Sequence, residues 1–230
     1  MMKKDKSGCD IATCMICRLC VPEWKPAIKA HKQTYTIKKG GLLFKEGEPV
    51  QGIYFLYSGS VKVHKHWGEE KELIVRFARK GDIVGHRGVG MTQFYPVSAT
   101  ALEAVEVCFI PIDFFQTTLK VNHEFLYAMM LFYAAELQES EQKMRNLVNM
   151  PVKGRIAYAL LLLSEKFGQD AEGNIDLILS RQDLASYIGT TYETAFRVMS
   201  ELIQEQAIAV SGKSIAVTDT AKLQVYSQLQ

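Results

Sequence analysis

The sequence predicts an α+β protein: a small antiparallel β-sandwich or barrel, then one long helix, then a compact domain with a helix-turn-helix. Three observations predict it. From about Tyr35 to Pro111, short β-rich runs such as "GIYFLYSGSVKVHK" and "ELIVRFARKGD" are punctuated by glycine turns. From Asn122 to Asn149 no glycine or proline occurs. Near the C-terminus, "SRQDLASYIGTTYETAFRVMSELIQEQ" holds two amphipathic segments split by a glycine turn.

In the β-rich region, Val61 and Val63 alternate with lysines, the period of a half-buried strand. "SGS", "GEE" and "KGD" supply the turns. In the long helix, Leu126, Met130, Tyr133, Leu137, Ser140, Met144 and Leu147 step along at alternating four and three residues, a coiled-coil seam. Phe125, Met129, Leu131 and Phe132 supply further apolar surface. One stripe suffices to pack a helix on its own domain, so the extra face favours pairing with a second chain. Glu139 and Glu141 flank Ser140, where like charges brought together across a two-fold would oppose that pairing.

Pro151 ends or kinks this helix, and "KGRIAYALLLLSEKFG" supplies another. Ser180 is the expected N-cap of the first short helix, with Asp183 at the capping-box position and Gly189 as the stop. Ala195, Val198, Met199 and Leu202 form the buried face of the second. "AIAVSGKSIAVTD" reads as a hairpin, the wing of a winged helix-turn-helix. The organisation expected is a cysteine-rich segment over 1–24, the β-domain over 25–121, the long helix over 122–149 and the DNA-binding domain over 150–230.

Composition narrows the class. The 230 residues are 48% hydrophobic and 23% charged, with a formal net charge of +2, as in an ordinary globular protein. That charge does not signal nucleic acid, although a locally basic face remains compatible with it. The longest apolar runs are too short to span a bilayer, and the basic start lacks the apolar region of a secretory signal. A cytoplasmic location is expected, where thiols stay reduced. No Ser-His-Asp order, phosphate loop or carboxylate pair marks an active site, so an enzyme is not expected. Of the histidines, His64 and His66 share a strand face; solvated strand residues are a simpler reading than a metal pair.

The cysteines carry the chemistry. In "CDIATCMICRLCVP", residues 9, 14, 17 and 20 are cysteines, and the fifth, Cys108, sits in "AVEVCFIPI". A Cys-x-x-Cys-x-x-Cys run with one more thiol from elsewhere suits an iron–sulfur cluster. Structural zinc takes four cysteines too, and inert thiols need no metal. Cys108 alone would be a buried structural cysteine.

A β-rich region, a long helix and a C-terminal helix-turn-helix, in that order, resemble the CRP/FNR superfamily of bacterial transcription regulators over roughly residues 10–218. The sharpest piece is "SRQDLASYIGTTYETAFRVMSEL", whose "ETAFR" looks like the superfamily's E-T-x-x-R core. The resemblance implies a cyclic-nucleotide-binding-like β-roll (a double-stranded β-helix), a dimerisation helix and a homodimer on an inverted-repeat operator. RNA polymerase is the further partner it implies. Members that bind cyclic AMP carry a glutamate after a G-D-x-x-G turn and an Arg-Ser pair for the phosphate. Here the turn is "KGDIVGHRGVG", with His86 for the glutamate, and Val97 stands before Ser98 in place of the arginine. A buried phosphate without a cation is poorly held, and Arg87 is the nearby substitute.

"LCVP" at Leu19 to Pro22 and "VCFIP" at Val107 to Pro111 look like the branch that senses oxygen through a 4Fe–4S cluster, the fumarate and nitrate reductase regulators. That resemblance implies Cys14, Cys17, Cys20 and Cys108 as ligands. The spacing from Cys17 to Cys20 is shorter than in those sensors, which leaves Cys9 as an alternate. By the same resemblance Glu193 and Arg197 read bases of a TGA-type core, through cytosine N4 and guanine O6/N7. Phe196 stands where those sensors have serine and offers a thymine methyl contact but no hydrogen bond, and Tyr192 stands where cyclic-AMP receptors have an arginine, so the resemblance leaves the outer bases open. Ser180, Arg181, Thr190, Thr191 and Lys213 are expected on phosphates. The other reading of Glu193 and Arg197 is an exposed i,i+4 ion pair. Three alternatives stand beside this one: a zinc or thiol switch on the same scaffold, a non-cyclic-AMP effector in the β-roll, and an electron-transfer iron–sulfur protein.

Overall fold

The computed structural model describes the backbone of residues 3–5 and residues 14–68 and 71–228 in full; Cys9 lies outside the described residues. The chain divides into two compact units, Met1–His66 with Val75–Glu136, and Trp67–Ile74 with Leu137–Gln230.

In chain order the first unit holds β1 (Lys3–Asp5), α1 (Met15–Leu19), α2 (Lys25–His31), β2 (Gln33–Ile37), β3 (Leu42–Phe44), β4 (Gly52–Ser58) and β5 (Val61–Trp67). There follow β6 (Lys71–Ala78, whose residues from Val75 onward belong to this unit), β7 (Ile83–Val84), β8 (Ser98–Ala101), β9 (Val105–Pro111), α3 (Ile112–Val121) and the first part of α4 (His123–Asn149). The strands form two sheets, in the orders β1-β2-β9-β4-β7 and β3-β8-β5-β6. Cys108, in mid-β9, stands opposite Thr34 on β2 and Phe55 on β4.

The first sheet is buried on both faces. On β4, Tyr54 and Leu56 join Val105 and Val107 of β9 in the interior between the sheets, with Val61, Val63, Ala99 and Ala101 opposite. Ile53 and Phe55 point the other way, with Cys108 and Ile110, into a second cluster roofed by helices. Period-two alternation therefore puts the Cys108 thiol on the outer, helix-covered face. It also explains why "GIYFLY" reads as a continuous apolar run instead of an alternating one. Gly52 opens β4 because nothing larger fits. An added Cβ would lie 2.3 Å from the Ile110 carbonyl oxygen and 2.5 Å from the Phe109 ring. The Tyr95 hydroxyl accepts from Gly52 N–H at 3.2 Å and donates to its carbonyl at 2.7 Å.

The second unit holds the rest of α4, then α5 (Val152–Phe167), α6 (Arg181–Ile188), α7 (Tyr192–Gln204), β10 (Ile208–Ser211), β11 (Ser214–Val217) and α8 (Thr220–Ser227). Ser180 caps α6 by accepting from the Asp183 N–H at 2.9 Å, and Gly189 ends it in the left-handed conformation, φ 69°. Thr191 caps α7 through the Thr194 N–H at 3.3 Å. Leu184, Ala185 and Ile188 of α6 are buried, as are Ala195, Val198, Met199 and Leu202 of α7. β10 and β11 pair antiparallel as the wing, with Lys213 at its tip. α8 is an addition that the sequence pattern does not announce.

Gly52→Ala should destabilise the first unit by about 1–3 kcal/mol, lowering its melting midpoint by about 2–10 °C in a calorimetric scan. An unchanged midpoint would show that the Ile110 strand can yield.

Candidate metal centre and nucleic-acid interface

Cys14 and Cys20 flank α1, at its N-cap and C-cap, while Cys17 lies within it. All three are buried, and they pack in one apolar cluster with Cys108, Ile16, Ile28, Phe55, Ile110 and Phe115. Phe125 and Met129 of α4 belong to the same cluster, so the thiols and the first turns of the long helix share a core. Burial pushes the Cys20 thiol up to about 11, with Lys25 pulling the other way. Such a thiol is neutral at pH 7 unless a cation offsets its charge. Four soft sulfur donors, three in and beside a short helix and one on a strand, share this cluster, and they are the donor type that an iron–sulfur cluster takes.

The segment bearing these thiols is fastened at one point. Val21 N–H donates to Asn122 Oδ1 at 2.9 Å, and Asn122 Nδ2 donates to the Thr118 carbonyl at 3.0 Å. Trp24 Nε1 donates to Thr118 Oγ1 at 3.1 Å, and the Trp24 ring stacks on Phe114. Asn122 is the break between α3 and α4 and is 1% exposed. Periodicity reading passes over it, because a buried asparagine leaves no trace in a hydrophobic pattern.

The seam positions divide. Leu126, Met130, Leu137 and Met144 of α4 are 45%, 55%, 61% and 63% exposed. Ser140 is exposed with Glu139 and Glu141 beside it, whereas Tyr133 and Leu147 are half-buried. The Tyr133 hydroxyl donates to the His86 carbonyl at 2.7 Å. Leu147 lies against Gly189, where an added Cβ would meet its Cδ2 at 2.5 Å. Phe125 and Met129 are buried, and Phe132 packs on the cysteine cluster, while Leu131 is exposed. The helix thus has one face spent on its own unit and one left open.

A second feature escaped the sequence. Glu136 of α4, 8% exposed, accepts from Arg76 Nη1 on β6 at 2.7 Å and from Arg87 Nη2 at 2.7 Å. Arg76 Nη2 also donates to the Ile83 carbonyl. Burial opposes the Glu136 charge, yet the neighbouring His86 imidazole and the two guanidiniums hold its carboxyl well below the usual carboxylate range. His86 Nε2 is 3.5 Å from the carboxylate, long for a hydrogen bond, so we assign most of this hold to the arginines. Burial pushes the His86 pKa down, leaving a neutral ring set edgewise against Phe132 and Tyr133. Arg76, His86, Arg87 and Val97 line a small cleft in the β-roll with Phe44 and Tyr95. Arg87, the cation available to meet a phosphate there, is committed to Glu136.

His64 is buried, contrary to the solvated strand position expected of it. Its Nε2 lies 2.8 Å from Thr100 Oγ1, and its ring meets His66 edge-on at 5.1 Å.

On the second unit α7 presents Tyr192, Glu193, Phe196 and Arg197 as exposed side chains. Arg197 pairs with Glu201 at 2.6 Å, one turn forward, where the sequence reading considered Glu193 one turn back. Phe196 stacks on Tyr192, and the Arg181 guanidinium lies over the Phe196 ring. Arg155, unremarked in the sequence, donates to the Leu147 and Met150 carbonyls at 3.0 and 3.1 Å and to Gly189 at 3.4 Å. It caps the end of α4 and reaches the helix-turn-helix turn. Ser180 and Thr191 are the N-caps of the helix pair, Thr190 lies in the turn between them, and Lys213 lies at the tip of the wing. Among the described residues no helix is long and apolar enough to cross a membrane.

Comparison with known proteins places these parts. A cyclic nucleotide-binding domain family matches residues 35–122, and a Crp-like helix-turn-helix domain family matches residues 154–226. The transcriptional activator protein anr of Pseudomonas aeruginosa is 29% identical over 94% of this chain and 89% of its own length. The anaerobic regulatory protein of Pasteurella multocida is 28% identical over 96% of this chain and 84% of its own. Among solved structures, FixK2 from Bradyrhizobium japonicum superposes with a TM-score of 0.76 at 22% identity, over 85% of this chain and 96% of that one. A CooA mutant from Carboxydothermus hydrogenoformans gives 0.75 at 18% identity, over 98% of both.

Glu136→Gln should cost about 3–5 kcal/mol, because it leaves the buried Arg76 guanidinium, with the half-buried Arg87 beside it, short of an anion. The sign with pH follows from the depressed carboxyl. Its contribution is complete above the ordinary carboxylate range and is lost as pH falls toward the lowered folded value. Urea midpoints should therefore drop more between pH 7 and pH 4 in the parent than in the variant. Equal drops would remove Glu136 from the acid response.

Proposed function

The chain belongs to the CRP/FNR family of DNA-binding transcription regulators, in its FNR-like branch, and on that premise we propose that a cluster held by its cysteines controls it. It is a regulator and not an enzyme. The proposed ligands are Cys14, Cys17, Cys20 and Cys108 on a 4Fe–4S cluster. When bound, that group supplies iron–thiolate bonds that oxygen or nitric oxide attacks.

One observation carries the reading. The four thiols share a buried cluster with Phe125 and Met129, so whatever tightens the cysteine segment also bears on the start of α4. Asn122 fastens the same segment at the same junction. The exposed stripe of Leu126, Met130, Leu137 and Met144 supports pairing of α4 with a second copy. Glu139 and Glu141 oppose it, so a coupling of a few kcal/mol suffices to shift the balance. In domain terms, residues 1–24 bind the cluster, 25–121 form the sensor, 122–149 the dimer helix and 150–230 the DNA-binding part. RNA polymerase is the expected partner, in the cytoplasm. The name of the Pasteurella multocida relative, anaerobic regulatory protein, accords with such control.

A dimer would set its two α7 helices into major grooves about 34 Å apart on an inverted repeat. Arg197 would fork onto guanine and Glu193 would accept from cytosine. The Arg197–Glu201 pair is exposed, with 67% and 40% of the side chains accessible, so redirecting Arg197 to DNA costs little.

Anaerobically purified protein should be brown, with iron and sulfide in equal amounts. Cys108→Ser should lose both and sediment as monomer. A colourless preparation with one zinc per chain would replace the cluster by a thiolate–zinc switch. Arg197→Ala should weaken operator binding by about 1–3 kcal/mol, roughly five- to 150-fold, in an anisotropy titration. Unchanged affinity would rule out its base-reading role.

A further inference from the structure

The recognition helix carries an aromatic pair where a DNA-reading surface is commonly polar. Phe196 and Tyr192 lie one turn apart on α7 and are 43% and 41% exposed. Their rings are near parallel, 17° between planes with centroids 6.2 Å apart. Arg181, the first residue of α6, sets its guanidinium carbon 4.9 Å from the Phe196 centroid. Phe196 thus contacts both a ring and a cation.

Helical geometry places the pair beside the reading residues. At about 100° per residue, Tyr192 adjoins Glu193 and Phe196 adjoins Arg197, along the flank of the outward face. The buried face of α7, through Ala195, Val198, Met199 and Leu202, points elsewhere. A phenyl ring has no donor or acceptor for a base edge. The apolar feature that a major groove offers is the C5 methyl of a pyrimidine, which distinguishes thymine from the other natural bases.

We infer that Phe196, backed by Tyr192 and braced by Arg181, is a specificity-determining residue that selects a 5-methylpyrimidine next to the core bases. The inference rests on the proposed entry of α7 into the major groove. It gives the outer half-site a readout by hydrocarbon contact, with no hydrogen bond from the side chain. It also gives Arg181 a fixed position at the helix pair, from which its remaining N–H groups can reach the backbone phosphates.

The test uses full-length protein prepared anaerobically and a duplex selected from a randomised pool. Each thymine is replaced singly by deoxyuridine, which removes only the methyl. Affinity should fall about fourfold per half-site at one position flanking the core and nowhere else in the half-site. Phe196→Ser should bind the parent duplex more weakly and no longer distinguish thymine from deoxyuridine. Phe196→Leu, which keeps hydrocarbon at the site, should retain part of the discrimination and guards against a folding defect in the serine variant. A merely structural stack would lower affinity in the variants without touching the thymine–deoxyuridine ratio. Deoxyuridine binding as well as thymine at every position would overturn the inference, as would a selected site with no thymine beside the core. If Arg197→Ala and changes to the core guanine are silent as well, the groove-reading role of α7 itself has failed.

Discussion

Asn122 is the joint on which the first unit turns. It is buried at the break between α3 and α4, and its side-chain amide is used at both ends, accepting from Val21 and donating to Thr118. Thr118 in turn takes the Trp24 indole N–H. A buried amide without partners costs about 1–3 kcal/mol, so the cysteine segment cannot leave without a charge to stability at the first residue before the long helix. That is the scale on which allosteric couplings operate. No long path through the protein is required, because the thiol cluster and the helix start share side chains.

The long helix can respond because its two faces are in different conditions. Phe125, Met129 and Phe132 are committed to the unit that holds the thiols. Leu126, Met130, Leu137 and Met144 leave a stripe exposed, an apolar surface of the kind that marks an association site. Rotation or translation that improves packing on one face changes what the other presents. Glu136 limits that freedom. Its carboxylate is clasped by Arg76 and Arg87 from the β-roll, and removing it from them would leave the buried Arg76 cation without its anion. The helix is pinned at Asn122 and at Glu136, with the shared apolar cluster between.

Much of this was legible in the sequence, and the rest was hidden for identifiable reasons. The alternation at Val61 and Val63, the Ser180 cap and the Gly189 stop were read correctly, because each is a local rule with a local signature. His64 was misjudged because alternation assigns a face but does not say whether that face is covered. α8 carries no apolar stripe of its own, and packing in the second unit makes it a helix. Asn122, Glu136 and Arg155 were passed over since hydrophobic periodicity counts only apolar residues. Their partners lie 101, 60 and 34 positions away, beyond any window. For Arg197 the sequence offered a glutamate on either side at helical spacing, and the structure shows the forward one engaged.

The β-roll cleft and the cysteine cluster differ in how their polar groups are satisfied. In the cleft, the guanidiniums that could hold an anionic effector already hold one, the protein's own Glu136. An incoming phosphate would have to displace a carboxylate that the guanidiniums hold charged against its burial, and it would find Val97 where a further cation would help. The displaced glutamate would then need solvent or another cation, so the exchange is opposed twice. The cysteine cluster presents the reverse situation. Its thiols are buried, and at Cys20 burial disfavours the thiolate more than Lys25 favours it. The site is suited to a group that brings positive charge with it. The proposed control by a bound group is therefore assigned to the sulfurs, while the ionic clasp on α4 holds the helix to the β-roll.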